Sequence, residues 1–184
     1  MRIPSLKMLY DYAASSPDRR ALVLFVLSAA TISGAWFTEY GLGYIPCKLC
    51  LLQRWPYYFA VPLAAFAWVI AGPMKMRLAP RPAFAMLAAI FMISVALGVH
   101  HAGVEWGWWA GPADCGGKIS TGPASVNDLL TAVSNTRIVS CTEAPFRILG
   151  LSLAGWNAMV SFVLATIAIR GWRERSYVSS SVSQ

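Results

Sequence analysis

The stretch AFAMLAAIFMISVALGV, residues 83–99, contains no charged side chain and no proline. An α-helix of this length rises about 25 Å, close to the thickness of the hydrocarbon core of a bilayer. The whole chain of 184 residues is 57% hydrophobic and only 12% charged, whereas soluble domains carry about 25% charged residues. One small core could not bury so many apolar side chains. The composition therefore predicts a membrane protein.

Three further apolar stretches have similar lengths. Together the four candidate spans lie at about 21–37, 55–72, 83–99 and 148–169. Helices suit a bilayer because they satisfy their backbone polar groups internally. The first stretch is longer than the apolar region of a signal peptide, about 7–15 residues, so we expect it to be a retained helix. The prediction is an all-α membrane protein, a four-helix transmembrane bundle that forms a single domain over residues 1–184.

The segments outside the spans differ in length and character. Loops at about 38–50 and 100–147 lie on one side of the predicted bundle. The Ser-rich tail, residues 176–184, is predicted to be disordered. The longer loop contains ASVNDLLTAVSN, residues 124–135, with apolar side chains at helical spacing. This spacing predicts a short helix, either an amphipathic helix lying on the membrane or a plain helix within the loop.

Lysines and arginines are distributed unevenly between the two sides of the predicted bundle. Ten of the 15 lie in the N-terminal segment, the turn at 75–81 and the C-terminal segment, and the other five lie on the side of the two long loops. The positive-inside rule places both termini in the cytoplasm and the loops outside. The net charge of +7 therefore indicates membrane orientation, and we expect no nucleic-acid partner.

All four cysteines fall on the predicted outer side, Cys47 and Cys50 near the short loop and Cys115 and Cys141 in the long one. An even number of cysteines in an oxidising compartment indicates disulfide chemistry. Two inert structural disulfides are one interpretation. Cys-x-x-Cys more often indicates a redox or metal function, because a disulfide across so small a loop stabilises little. A zinc ribbon needs two close pairs, and Cys115 and Cys141 are 26 positions apart, so no metal is expected.

The sequence around the first pair, PCKLCLLQR at residues 46–54, favours redox chemistry. Pro46 suits the first turn of a helix, which would place Cys47 and Cys50 where the helix dipole favours a thiolate. Arg54 follows Cys50 by four positions and so shares its helix face. Its guanidinium could stabilise a thiolate or hydrogen-bond an acceptor on a ligand. Alternatively, Arg54 extends to the membrane interface without a further role.

These features resemble the disulfide bond formation protein B (DsbB) family, the quinone-dependent thiol oxidases of the bacterial inner membrane. The resemblance covers nearly the whole chain: four spans with cytoplasmic ends, PCKLCLLQR, a separated cysteine pair in the long outer loop, and FRILGLSLAGWN at residues 146–157. It implies a multi-pass protein of the inner membrane with a periplasmic active site. The implied partners are the lipid bilayer, a periplasmic DsbA-like protein of the thioredoxin fold, and a membrane quinone, ubiquinone or menaquinone.

The resemblance also implies a role for each cysteine. The reduced partner protein would attack a Cys115–Cys141 disulfide and form a mixed disulfide with Cys115. Cys141 would pass electrons to Cys47, and Cys50 would face the quinone. Arg54 would belong to the quinone site, where a cation stabilises developing negative charge.

Two polar residues at the end of the third span are further candidates. The motif HAGVE resembles other family members, and it identifies His101 and Glu105 as candidates for the quinone region. Alternatively, both are interfacial polar residues that hold the helix end. Two other functions remain open for the whole chain: a specialised relative dedicated to one substrate, and a non-catalytic membrane protein with two structural disulfides.

Overall fold

The computed structural model describes residues 16–74, 80–112, 137–138, 141–142, 144 and 147–173. Four long helices dominate these residues: α1 (Pro17–Trp36), α2 (Lys48–Ala71), α3 (Pro80–Glu105) and α4 (Leu153–Arg173). Four two-residue strands accompany them: β1 (Tyr44–Ile45), β2 (Arg137–Ile138), β3 (Arg147–Ile148) and β4 (Leu151–Ser152). Cys115, the helix predicted within 124–135 and the tail at 176–184 lie outside the described residues.

Three of the helices are long and apolar enough to cross a membrane: Pro17–Gly41, Arg81–Glu105 and Leu153–Arg173. This finding confirms the prediction of a largely helical membrane protein. Helix α2 is 24 residues long, which also suffices for a span. Its first two turns carry Lys48 and Arg54, however, and these charges lower its hydropathy. The fourth span and the orientation of the bundle therefore stay predictions.

Helix α2 begins seven positions before the apolar stretch that predicted it, two positions after Pro46. Cys47 is its N-cap, with an extended backbone and a sulfur that accepts the amide of Cys50. This cap lets the helix include the polar residues of PCKLCLLQR. Helix α4 instead begins five positions later than predicted, because β3 and β4 form a small antiparallel hairpin around Leu149 and Gly150, both with positive φ.

The helices pack in chain order, α1 on α2, α2 on α3 and α3 on α4, and the α3–α4 contact is the most extensive. Where the end of α3 packs against the beginning of α4, a Cβ at Gly98 would lie 2.9 Å from the Cβ of Ala158 and 3.0 Å from its Cα and backbone nitrogen. Glycine therefore permits the two helices to approach closely. Among the described residues, the core combines eight alanines with nine larger side chains, including Phe84, Phe91, Leu24 and Leu164.

Two features at one end of the bundle shape the region around Cys47. Helix α1 ends in a π-helical turn, Phe37–Gly41, where the amide of Leu42 donates to the carbonyl of Phe37. Strand β1 follows and pairs in parallel with β2, with Ile45 opposite Ile138. The parallel pairing makes the segments before Cys47 and Cys141 run in the same direction.

We predict that Gly98→Ala destabilises the protein, because the added methyl meets backbone atoms of α4 that cannot rotate away. Overpacking of this kind costs about 1–3 kcal/mol, more than the roughly 1 kcal/mol that alanine gains over glycine in a helix. Gly34→Ala on α1 is the matched control, since a Cβ there meets nothing within 4 Å. Thermal unfolding in detergent should show a lower midpoint for Gly98→Ala only. Equal midpoints for the two variants would contradict the close approach of α3 and α4.

Candidate active site

The sulfur atoms of Cys47 and Cys50 lie together at the start of α2. The distance between them is 2.9 Å, and both residues are free thiols. The backbone amide of Cys50 donates to the Cys47 sulfur at 3.2 Å. Cys47 is completely buried. The cap geometry thus directs an otherwise unpaired amide of the helix N-terminus at this sulfur.

His101 and Glu105, one turn apart on α3, lie beside the cysteine pair. The Nε2 atom of His101 is 3.8 Å from the Cys47 sulfur and 3.8 Å from the Oε1 atom of Glu105. Their side chains are only 3% and 4% exposed, so neither residue is an exposed interfacial group. The neighbouring His100 is exposed and stacks on Trp109, with 5.6 Å between the ring centroids. The structure therefore distinguishes two histidines that are adjacent in the sequence.

These contacts lower the pKa of the Cys47 thiol from 9.0 to about 4. The largest cause is the hydrogen bond from the Cys50 side chain; the hydrogen bond to His101, the backbone amide of Cys50 and the charge of His101 act in the same direction. Burial opposes them. Cys47 is thus a thiolate near neutral pH, which is the reactive form of cysteine.

A chain of buried polar side chains leads from His101 into the bundle. The amide nitrogen of Gln53 lies 2.6 Å from Nδ1 of His101, and its oxygen accepts from Asn157 at 2.8 Å. The Tyr57 hydroxyl donates to Asn157 at 2.7 Å. From Tyr57 the chain continues through Ser161 to Ser94, with oxygen–oxygen distances of 2.9 and 2.8 Å. The chain joins α2, α3 and α4 through hydrogen bonds that satisfy groups buried in an apolar core.

Arg54 is mostly buried and bonded to other groups of the protein. Its guanidinium donates to the carboxylate of Glu39 in the π-helical turn and to the carbonyl of Ala35 at 3.2 Å. The side chain is 10% exposed. These two contacts use two of the five N–H donors of a guanidinium.

A cavity of about 540 Å³ opens beside the cysteines, between α1, α2 and α4. Most of its wall is apolar, with Ala35, Ile32 and Val160 among the contributing residues. The polar groups that reach it include Cys50, Gln53, Arg54, His101, Glu105 and Asn157. An apolar pocket of about 300–1,000 Å³ with a few convergent polar groups is the usual form of a small-molecule site.

Cys141 belongs to the same end of the molecule. It is completely buried and lies in one apolar cluster with Cys47, Leu49 and Val104, against which Cys50 also packs. Cys141 is disulfide-bonded, and neither Cys47 nor Cys50 is its partner, because both are free. The predicted pairing with Cys115 stays a prediction, since Cys115 lies outside the described residues.

The structure thus brings together six of the seven residues proposed from the sequence: Cys47, Cys50, Arg54, His101, Glu105 and Cys141. Glu39 and Gln53 were not predicted. A polar Gln53 inside an otherwise apolar helix, three positions after Cys50, was an available signal. Glu39 carried none, because its contact with Arg54 depends on the π-helical turn.

Comparisons with known proteins point to one family. The family model described as Disulfide bond formation protein DsbB matches residues 17–170. Disulfide bond formation protein B 1 of Pseudomonas entomophila is 34% identical over 158 residues, covering 83% of this chain and 88% of the relative. The corresponding protein of Burkholderia pseudomallei is 31% identical over 161 residues, 83% of this chain and 87% of the relative.

A further relative has a less informative name. The Uncharacterized protein RP370 of Rickettsia prowazekii is 28% identical over 144 residues, covering 78% of this chain and 80% of the relative. No solved structure matches the chain significantly.

The low pKa of Cys47 predicts a thiolate in mildly acidic solution. In the reduced protein, the ultraviolet absorbance of this thiolate should persist at about pH 6, where an ordinary cysteine is protonated, and should disappear near pH 4. His101→Ala should raise this midpoint because it removes a hydrogen bond and a charge, whereas His100→Ala should leave it unchanged. The linked contribution to stability is complete above pH 9.0 and is lost as the pH falls toward about 4. A midpoint that is the same in His101→Ala and the parent would exclude this contact.

Proposed function

The chain belongs to the DsbB family, and from this premise we propose that it is a protein-disulfide:quinone oxidoreductase. It generates disulfides and reoxidises a periplasmic DsbA-like thiol oxidase. The observation that carries the proposal is the position of Cys47 and Cys141 in one buried cluster, against which Cys50 packs, beside a cavity that Cys50 and Arg54 line. The family name supports disulfide formation; the quinone and the partner are the proposed part.

The proposed electron route follows the cysteines inward. A thiolate of the reduced partner attacks the Cys115–Cys141 disulfide, and the partner's second thiol then closes its own disulfide and releases both loop cysteines reduced. Exchange between Cys141 and the Cys47–Cys50 disulfide moves the two electrons to the start of α2. The shared cluster of Cys141 and Cys47 supports this step, because thiol–disulfide exchange requires direct contact between sulfur atoms. Over one cycle, two partner thiols become one disulfide.

The cavity has the chemistry of a quinone site. Its volume of about 540 Å³ and largely apolar wall suit a hydrophobic ring with the start of its tail. Arg54 offers N–H donors to a carbonyl oxygen of the ring, and Glu39 and the Ala35 carbonyl hold its guanidinium in place. A bound ubiquinone or menaquinone would supply the oxidising equivalents by accepting two electrons and two protons.

The residues around Cys47 keep its sulfur reactive. The Cys50 amide and the His101 ring stabilise the thiolate, and burial among Leu49 and Val104 excludes water from it. Cys50, rather than Cys47, lines the cavity. This division supports Cys47 as the residue that exchanges with Cys141 and Cys50 as the residue that faces the quinone.

The proposed setting is the bacterial inner membrane, with both termini in the cytoplasm and the cysteines at the periplasmic face. Two alternatives predict different behaviour. A specialised relative would accept electrons from one dedicated protein only. A structural protein with two inert disulfides would keep all four cysteines oxidised when quinone is withdrawn, whereas the proposed enzyme accumulates reduced cysteines, which thiol trapping detects.

The first test mixes the purified protein with a reduced DsbA-like protein and ubiquinone or menaquinone, and follows the loss of quinone absorbance. Cys50→Ala should abolish turnover, because no second sulfur remains to close the disulfide with Cys47. His100→Ala, an exposed histidine on the neighbouring helix, is the control and should retain turnover. Full turnover in Cys50→Ala would exclude the proposed route.

The second test addresses the cavity. Arg54→Gln should raise the KM for quinone about tenfold to a hundredfold, since a hydrogen bond from a charged group contributes about 1.5–3 kcal/mol. The KM for the protein partner should change little. Glu39→Gln should raise the KM for quinone less, because it loosens Arg54 without removing it. Arg147→Gln replaces an exposed arginine and serves as the control. An unchanged KM for quinone in Arg54→Gln would exclude this cavity as the quinone site.

A further inference from the structure

The side chains around Cys47 also supply donor atoms that could bind a metal ion. The sulfurs of Cys47 and Cys50 and a ring nitrogen of His101 all lie within 4.8 Å of one another. A fourth donor adjoins them, because Oε1 of Glu105 is 3.8 Å from Nε2 of His101. The Glu105 carboxylate also lies close enough to Cys50 to act electrostatically on its sulfur.

Glu105 supplies an independent indication that a cation belongs here. Its Oε2 atom is buried and has no hydrogen-bond partner among the described residues. A buried carboxylate oxygen without a partner is costly. A cation bound by the Glu105 carboxylate beside the His101 ring would compensate it.

We propose that the reduced form of this site binds one divalent ion of the zinc class through Cys47, Cys50, His101 and Glu105. Two thiolates, an imidazole and a carboxylate are ligand types that Zn²⁺ accepts in tetrahedral coordination. The ligands carry three negative charges against two positive charges on the ion. This function goes beyond the proposed quinone chemistry and does not depend on it.

Local sequence spacing makes the four donors available from two helices. Cys47 and Cys50 are separated by one helical turn at the start of α2, and His101 and Glu105 are separated by one turn at the end of α3. Residues three or four apart lie on the same helix face. The packing of α2 against α3 therefore places two pairs of donors opposite each other.

Coordination through Nε2 requires a proton on Nδ1 of His101. Nδ1 faces the side-chain amide of Gln53 at 2.6 Å, and a Gln53 amide turned by half a rotation presents its oxygen to an Nδ1–H donor. Asn157, turned in the same way, keeps the next hydrogen bond. Metal-bound histidines commonly donate their second N–H to such an acceptor. Gln53 is thus the positioning residue of the site.

Metal binding and disulfide formation exclude each other at these sulfurs. The disulfide form of Cys47–Cys50 offers no thiolate, so only the reduced form binds the ion. Binding displaces the remaining thiol proton and changes no oxidation state. A bound ion consequently holds the pair reduced and prevents exchange with Cys141.

The wide spacing of Cys115 and Cys141 is unsuited to a zinc ribbon of four cysteines. Here the second pair of donors is His101 and Glu105, which α3 supplies.

Cadmium binding to the full-length protein in detergent tests the site, with a phosphine reductant and no quinone. A Cys115→Ser/Cys141→Ser background removes the other thiols. We expect one Cd²⁺ per chain, reported by the thiolate-to-cadmium absorption band, and displacement by Zn²⁺. His101→Ala and Glu105→Gln should each weaken binding at least tenfold. His100→Ala, the matched control, should bind as the parent does, and the oxidised protein should give no band.

A measurement on the wild-type chain covers the case in which a variant does not fold. X-ray absorption of the zinc-loaded reduced protein should show two sulfur neighbours at about 2.3 Å and two nitrogen or oxygen neighbours at about 2.0 Å. The site is overturned by the lack of a cadmium band, by equal affinity in either ligand variant, or by an all-sulfur shell. Turnover of quinone in chelator is measured separately, so that failure of the metal site and failure of the proposed enzyme are distinguishable.

Discussion

The hydrogen bond between Gln53 and His101 is the contact on which the site depends. It joins α2 to α3 at the end of the bundle where both cysteines lie, and it turns Nε2 of the imidazole toward the Cys47 sulfur. Asn157 extends the connection to α4. Loss of either hydrogen bond would leave a buried polar group without a partner and lower the free energy of unfolding by about 1–3 kcal/mol. In an apolar bundle, where hydrophobic side chains specify position only loosely, these polar contacts fix the relative register of three helices.

Much of this arrangement is readable in the sequence, since local patterns carry it. PCKLCLLQR predicts a helix that begins near Pro46 with both cysteines in its first turn; in the structure the helix begins two positions later, at Lys48, with Cys47 as its N-cap and Cys50 in its first turn. The family resemblance implies electron transfer from Cys141 to Cys47, and the structure places both residues in one buried cluster. Arg54, four positions beyond Cys50, lines the same cavity because helical periodicity places the two residues on one helix face.

Other features depend on packing between distant segments and have no local signal. His100 and His101 are adjacent at the end of an apolar helix, and their sequence positions do not show which one is buried. The contact of α3 with α2 decides this. Glu39 becomes the partner of Arg54 through a backbone irregularity that composition does not reveal. The first residues of α2 and α4 also differ from the first residues of the apolar stretches that predicted these helices. Capping by Cys47 extends α2 into a polar segment, and the β3–β4 hairpin shortens α4.

The number of residues in the π-helical turn at Phe37–Gly41 determines whether Glu39 can form its ion pair with Arg54. A π turn accommodates one residue more than an α turn, and each residue rotates the following side chains by about 100° around the helix axis. Loss of Phe37 or Thr38, which precede Glu39 in this turn, would rotate the Glu39 carboxylate away from Arg54. The guanidinium of Arg54 would then lose its carboxylate partner and carry an uncompensated charge beside a largely apolar cavity. An insertion or deletion before Glu39 would therefore affect Arg54 in the same way as replacing Glu39 by a neutral residue.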